Sequence, residues 1–249
     1  MAPSTAYDVR LRRARYTPLG ATVRDRFGVL LGVWLLTTVV TLLVLVGSGV
    51  DLLATAAPLS SSASDVTVVG TDPTDALLFG AEVASLVGGT LALVVATGLA
   101  ARDDDRVELA AGRSQFLLAA ATFVAGVSVG RTFVSTLLRD IHLLDTVGAA
   151  TVLESGTSGA VVALRALAEL GLFVPVAVGV GAALPCFLVG AVRAGLAPRY
   201  TSDRMRGFVA LALVTFAAVY SPPDLPSLAL VAVPPFAGFA VGLAWLEFG

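Results

Sequence analysis

The sequence predicts an all-α integral membrane protein with six transmembrane helices and with both termini in the cytoplasm. Three observations lead to this fold class: the composition, the number of long apolar runs, and the distribution of arginine between those runs. Of the 249 residues, 57% are hydrophobic and 14% are charged. A soluble domain has about half apolar and about a quarter charged residues. Since the mean hydropathy is also high, at +0.90, we expect lipid to cover much of the surface.

The same composition excludes several classes of function. A net charge of −2 offers no surface for nucleic acid. Cys186 is the one cysteine and His142 the one histidine, which argues against a disulfide framework, a metal site or a histidine-dependent catalytic triad. The chain contains no lysine, and a Walker-type ATP site requires one. We therefore expect no enzyme, no metal and no cofactor.

The membrane spans follow from the lengths of the apolar runs. A helix needs about 20 apolar residues to cross about 30 Å of hydrocarbon. Six runs approach this length, at approximately 27–46, 76–99, 116–138, 168–192, 207–220 and 227–246. The first exceeds the apolar core of a signal peptide, which has about 7–15 residues, so we expect it to be a retained helix. We interpret 27–246 as one transmembrane domain and 1–26 as an arginine-rich cytoplasmic segment.

The arginines predict the orientation of the spans. Thirteen of the sixteen precede the first run or lie between the second and third or the fourth and fifth, whereas Arg131, Arg139 and Arg165 lie toward the other side. Arginine-rich connectors are cytoplasmic by the positive-inside rule. The fifth run would rise only about 21 Å, and Pro234-Pro235 would shorten the sixth. Two short helices either thin the bilayer or pack against longer neighbours, and the sequence leaves both open.

A set of short motifs lies near the C-terminus. Ser221, Pro222, Pro223 and Asp224 form a TPPD-like turn, Ser227 follows three residues later, and Pro234 completes an A-x-P in the last apolar run. These motifs resemble those of TatC, the multispanning core of the twin-arginine protein translocase. The resemblance covers about residues 19–246 and is most specific at the C-terminus. Pro185 resembles the proline of the family's fourth helix, and a proline inside a helix bends it.

The resemblance implies a concave six-helix bundle in the cytoplasmic membrane. It also implies binding of the twin-arginine signal peptides of folded precursors, partnership with TatA-type single-span subunits and with other TatC-like chains, and export driven by the proton gradient. Carboxylates bind guanidinium groups strongly and with defined geometry. The candidate docking carboxylates are therefore Asp103, Asp104 and Asp105. The arginines Arg24, Arg26 and Arg106 are added as candidates because they lie in segments that resemble motifs of the family. A run of three aspartates is more often a solvated loop, which is the alternative interpretation of this segment.

The chain departs from the family pattern at several acidic positions. Where the resemblance implies glutamate, the chain has Thr22, Ala183 and Ala240, and Leu19 replaces a histidine. These departures favour a second hypothesis, an accessory or scaffold subunit that has lost receptor function. A third hypothesis is a small-solute transporter, which should show internal repeats and polar residues at the membrane midplane; neither is evident in the sequence.

Three acidic residues outside the docking segment have two interpretations each. Glu82 is either a polar contact within the second span or an interfacial residue. Glu169 pairs with Arg165, four residues away, as an interfacial anchor, or it replaces the missing carboxylate of the fourth helix. Asp224 is either a brace on the outer face or a cap of the last helix.

Overall fold

The computed structural model describes residues 18–48, 66–69, 73–104, 107–137, 150–151, 160–197, 203–221 and 225–248. These ranges contain seven helices and three short strands. In chain order they are α1 (Pro18–Asp25), α2 (Phe27–Gly47), β1 (Val66–Val69), α3 (Pro73–Asp103), α4 (Leu109–Leu137), β2 (Ala150–Thr151), β3 (Ala160–Ala163), α5 (Leu164–Arg193), α6 (Asp203–Val219) and α7 (Leu225–Phe248).

The predicted class, a helical multispan membrane protein, is confirmed. In the described part of the chain, α2, α3, α4, α5 and α7 are each long and apolar enough to cross a membrane. The apolar part of α6, Val209–Val219, is shorter, as the sequence predicted for the fifth helix. Six crossings and cytoplasmic termini stay predictions, since the length of α6 alone does not establish a crossing.

The prediction of a short sixth helix is wrong. Helix α7 has 24 residues and continues through Pro234 and Pro235. A proline removes one backbone hydrogen bond, but in membrane proteins packing against a neighbouring helix lets the helix continue. Here Pro235 is buried and Pro234 lies against Gly181 of α5.

A small sheet, which the sequence analysis did not predict, joins two helices at one end of the bundle. The strand order is β1-β3-β2, with β1 parallel and β2 antiparallel to β3. Valine and threonine make up β1, and such β-branched residues favour strands. Because β1 shortly precedes α3 and β3 continues directly into α5, the sheet holds the starts of these helices side by side.

Helix α5 packs closely against α4 through glycine. A Cβ atom placed on Gly126 would lie 2.8 Å from the Gly179 Cα, and one on Gly130 would lie 2.7 Å from the Pro175 Cα. These paired positions show that the two helices run antiparallel. Small residues let membrane helices approach closely enough for van der Waals packing to hold them together.

The opposite contact of α5, with α7, is equally close. A Cβ atom on Gly181 would overlap the Pro234 carbonyl, and one on Gly238 would overlap the Gly181 carbonyl. Gly242 lies against Pro185 and Leu188. The order of these contacts shows that α5 and α7 run parallel, with α5 packed between α4 and α7.

Helices α2 and α3 form a second packed pair. The Trp34 indole Nε1 donates a hydrogen bond to the Ser85 carbonyl at 3.3 Å, and Gly88 lies against the Trp34 backbone. Leu30 is the buried residue of α2, and its other large apolar side chains are mostly exposed. In a membrane those side chains face lipid.

Adding a methyl group at a close contact should destabilise the fold. We expect Gly238→Ala to lower the free energy of unfolding by about 1–3 kcal/mol, because its Cβ would meet the α5 backbone. Gly32→Ala is the matched control, since nothing lies within 4 Å of its Cβ position and alanine favours helix. Thermal unfolding in detergent measures both. Equal unfolding midpoints for the two variants would contradict the α5–α7 contact.

Candidate functional site

The predicted docking residues gather at the end of the bundle where α3 ends and α4 begins. Arg26 lies at the junction of α1 and α2, and its Nη2 donates a hydrogen bond to the Asp103 Oδ2 at 3.2 Å. The side chains are 49% and 39% exposed, respectively. Exposed pairs contribute about 0–1 kcal/mol, so a competing cation can replace Arg26 beside Asp103 at little cost. Arg24 pairs with the adjacent Asp25 at 2.9 Å.

The turn between α3 and α4 is fastened to the end of α5. The Glu108 backbone N–H donates to the Ala194 carbonyl at 3.0 Å. Gly195, with a φ of 75°, ends α5, and the Leu196 N–H donates back to the Ala191 carbonyl at 2.9 Å. An apolar cluster lies beneath the turn and includes Ala100, Val107, Ala191, Ala194 and Leu196. This packing gives the acidic turn a defined position.

Two of the predicted docking residues cannot be placed. Asp105 and Arg106 lie outside the described residues. Asp104, directly before them, is half-buried, and its carbonyl accepts a hydrogen bond from the Val107 N–H at 3.0 Å. The structure therefore brings Arg26, Asp103 and Asp104 to one end of the bundle, with Arg24 one helical turn or less from Arg26.

A second polar group, which we call the ion cluster, comprises Glu82, Arg165 and Glu169 near the sheet. The Arg165 Nε donates to the Glu169 Oε1 at 2.5 Å, and the Arg165 Nη2 donates to the Glu82 Oε1 at 2.6 Å. The predicted pairing of Arg165 with Glu169 is confirmed. The addition of Glu82, from α3, was not foreseen.

The electrostatics of the ion cluster favour a charged arginine. Burial by itself lowers the pKa of Arg165, but the two carboxylates outweigh this effect and raise the pKa above its usual value. The Glu82 Oε2 is buried and has no hydrogen-bond partner among the described residues. Within the same ranges, no three histidine, cysteine, aspartate or glutamate residues are placed to hold a metal ion.

A pair of hydroxyl groups and a row of aromatic rings lie next to the ion cluster. The Tyr220 hydroxyl is within hydrogen-bonding distance of the Ser85 Oγ, at 3.3 Å. The Tyr220 and Phe173 rings are 5.0 Å apart, and the Phe173 and Phe79 rings are 5.9 Å apart. Sequence reasoning missed Ser85 and Tyr220, because each is a single polar group in an apolar run with no spacing that links it to the other.

The motif residues near the C-terminus are divided between packing contacts and positions that cannot be described. Ser227 is fully buried in α7. Pro234 and Pro185 both take part in the α5–α7 contact, so the structure places them in helix packing. Ser221 is half-buried at the end of α6. Pro222, Pro223 and Asp224 lie outside the described residues, so both interpretations of Asp224 stay predictions.

Removing the cation of the ion cluster should destabilise the protein in a pH-dependent way. Arg165→Gln leaves two carboxylates facing each other, and we expect a loss of about 1–3 kcal/mol near neutral pH, less than for a fully buried pair. The loss should shrink in acid, where the carboxylates take up protons. Thermal unfolding in detergent at two pH values measures it, with Arg113→Gln, an exposed arginine of α4, as control. A loss that does not depend on pH would contradict the electrostatic explanation.

A comparison with protein-family models identifies the family of the chain. Residues 21–234 match the family model described as Sec-independent protein translocase protein (TatC). The match runs from α1 into α7 and includes both polar groups. Comparisons with curated proteins and with solved structures found no match. The resemblance seen in the motifs is thus confirmed, and the chain belongs to the TatC family, as a multi-pass component of the Sec-independent protein translocase in the cell membrane.

Proposed function

We propose that this chain is the signal-binding core of the translocase. It binds twin-arginine signal peptides at the α3–α4 turn and exports folded proteins together with TatA-type partners, driven by the proton gradient. The observation that carries the proposal is the Arg26–Asp103 pair. It is a guanidinium–carboxylate contact at an exposed position, which has the chemistry that an arginine of a signal peptide requires.

The pair supports an exchange of one arginine for another. Asp103 already holds a guanidinium at 3.2 Å, so an incoming arginine replaces Arg26 without leaving an unpaired carboxylate. Asp104 and, in the sequence, Asp105 follow directly, so this segment carries more than one carboxylate group, as recognition of two adjacent arginines requires. Arginine presents two parallel donors to a carboxylate and lysine does not, so this chemistry discriminates twin arginine from twin lysine.

The proposed orientation places this turn in the cytoplasm, where precursors are made. The end of the bundle that holds the Arg26–Asp103 pair also carries Arg102, Arg113 and Arg193. By the positive-inside rule this is the cytoplasmic end. The sheet and the ion cluster then lie toward the outer face, and both termini are cytoplasmic.

An accessory role is the second candidate, and one observation favours it. The positions at which the resemblance implies glutamate hold Thr22, which is buried in α1, Ala183, which is half-buried in α5, and Ala240, which is exposed on α7. None of these residues carries the negative charge that a glutamate would offer to a cation. On this hypothesis the chain keeps the translocase scaffold and pairs with an intact copy. Membership of a translocase family leaves the small-solute transporter without support.

Photocrosslinking separates the two candidates. With a photoreactive residue in place of Asp104, we expect membrane vesicles to give a crosslink to a twin-arginine precursor and none to its twin-lysine form. The same probe at Leu225, which is exposed at the opposite end, should give neither. If Asp104 does not crosslink while an intact TatC in the same vesicles does, the accessory role holds.

Exchange at Asp103 is testable by peptide binding. We expect Asp103→Asn to weaken binding of a twin-arginine signal peptide by about three- to fivefold, the range for an exposed charge pair. Arg26→Gln should strengthen binding or leave it unchanged, because it frees Asp103. Asp25→Asn, the same substitution close by in sequence, is the control and should have no effect. Weaker binding by Arg26→Gln would show that Arg26 does not compete with the peptide.

A further inference from the structure

Helix α4 carries a charged residue on its exposed side that takes no part in either of the polar groups described above. Arg131 is exposed and lies within the apolar helix, six residues before its last residue, Leu137. The structure gives it no hydrogen bond or ion pair with any described residue. A guanidinium stays charged in a protein, and charged residues inside membrane helices are usually paired or face the bundle interior. Arg131 pairs with no described residue and is exposed on the outside of the helix.

The depth of Arg131 follows from its neighbour Gly130. A Cβ on Gly130 would lie 2.7 Å from the Pro175 Cα, so Arg131 is level with Pro175 on α5. The nearest carboxylate of the ion cluster along α5, that of Glu169, lies six residues before Pro175, about 9 Å along the helix. Glu169 is buried and, like Glu82, is already paired with Arg165, whereas Arg131 is exposed. The carboxylates of the ion cluster are therefore not the partners of Arg131.

The face of α4 on which Arg131 lies is distinct from the face that packs on α5. Gly126, Gly130 and Val134 are buried, whereas Arg131, Ser128 and Thr132 are exposed. With the half-buried Ser135, these last three residues form what we call the α4 polar face: Ser128, Arg131, Thr132 and Ser135.

The hydroxyl groups of the α4 polar face do not supply the missing negative charge. Each donates a hydrogen bond to a backbone carbonyl of its own helix: Ser128 to Val124 at 3.0 Å, Thr132 to Ser128 at 3.1 Å, and Ser135 to Thr132 at 2.8 Å. They make the face polar while Arg131 keeps its full charge. The face therefore combines one cation, which pairs with none of the described residues, with neighbours small enough to let another helix approach.

We infer that the α4 polar face binds a transmembrane helix of another protein, one that carries an aspartate or glutamate level with Arg131. Charge complementarity selects this partner. The described spans of a second copy already use their carboxylates: in Ala76–Asp103, Leu167–Arg193 and Leu225–Phe248 each acidic residue is paired with an arginine of the same chain, namely Glu82, Asp103, Glu169 and Glu247. The inference does not depend on signal binding by the α3–α4 turn.

A designed peptide tests the inference. The full chain is purified, given a photoreactive residue in place of Ser128 and reconstituted in phosphatidylcholine vesicles. The probes are two single-span leucine–alanine helices that differ only in having Glu or Gln six residues from one end. We expect the Glu helix to crosslink roughly fivefold more than the Gln helix, as for a charge-assisted contact between membrane helices.

Variants of Arg131 test whether its charge causes the difference in crosslinking between the Glu and Gln helices. Arg131→Gln should bring the ratio of the two peptides to about one, and Arg131→Lys should retain part of it. With Arg131→Glu, a helix that carries lysine at the same position should crosslink more strongly than the Glu helix. Arg113→Gln, at the opposite end of the same helix, is the matched control and should leave the ratio unchanged.

Two results would overturn the inference. If the Glu and Gln helices crosslink equally to the unmodified chain, the partner of Arg131 is a lipid phosphate and no acidic helix is bound. If the Glu preference persists in Arg131→Gln, the preference comes from another part of α4 or from the peptide itself.

Discussion

The rest of the structure depends on the close approach of the α5 backbone to both α4 and α7. Lipid offers no hydrophobic force that would drive helices together, so packing contacts must hold them. On one side Gly126 meets Gly179, and on the other Gly238 meets Gly181. Because neither contact leaves room for a Cβ, these glycines determine which helices become neighbours. The prolines of α5 and α7 lie in the same interfaces, where the partner helix supports the interrupted backbone.

From this central position α5 sets the geometry of both polar groups. Its first turns present Arg165 and Glu169 to Glu82 of α3, and its last turn holds the α3–α4 turn through the Ala194 carbonyl. The two groups differ in exposure. The ion cluster is largely buried and holds two helices together, whereas the Arg26–Asp103 pair is exposed, as the proposed exchange with a signal peptide requires. A weak pair is suited to reversible recognition, since a strong one would resist displacement.

The missing family glutamates can be interpreted against this geometry. Ala183 is half-buried in α5, and the ion cluster lies about 20 Å away along the same helix. Glu169 therefore does not occupy the place of the absent carboxylate, although both belong to α5. Its negative charge is already used by Arg165. Within the described part of the chain, the proposed cation-binding role therefore rests on the α3–α4 turn, and the proposed anion-binding role in the membrane rests on Arg131.

The sequence by itself determined the features that depend on composition and local spacing. Apolar runs predicted the helical membrane class, the Arg165–Glu169 pair followed from a separation of four residues, and short motifs identified the family. Contacts between distant residues were decided only by the tertiary structure. Arg26 and Asp103 are 77 residues apart, and Glu82 and Arg165 are 83 apart. Helical periodicity shows which residues share a face of one helix, but it does not show which face of another helix lies opposite. That depends on close contacts between helices, of Gly88 with Trp34 for α2 and α3 and of the α5 glycines for α4 and α7. The α5 contacts also explain why α7 continues through two prolines that, by local rules alone, should have shortened it.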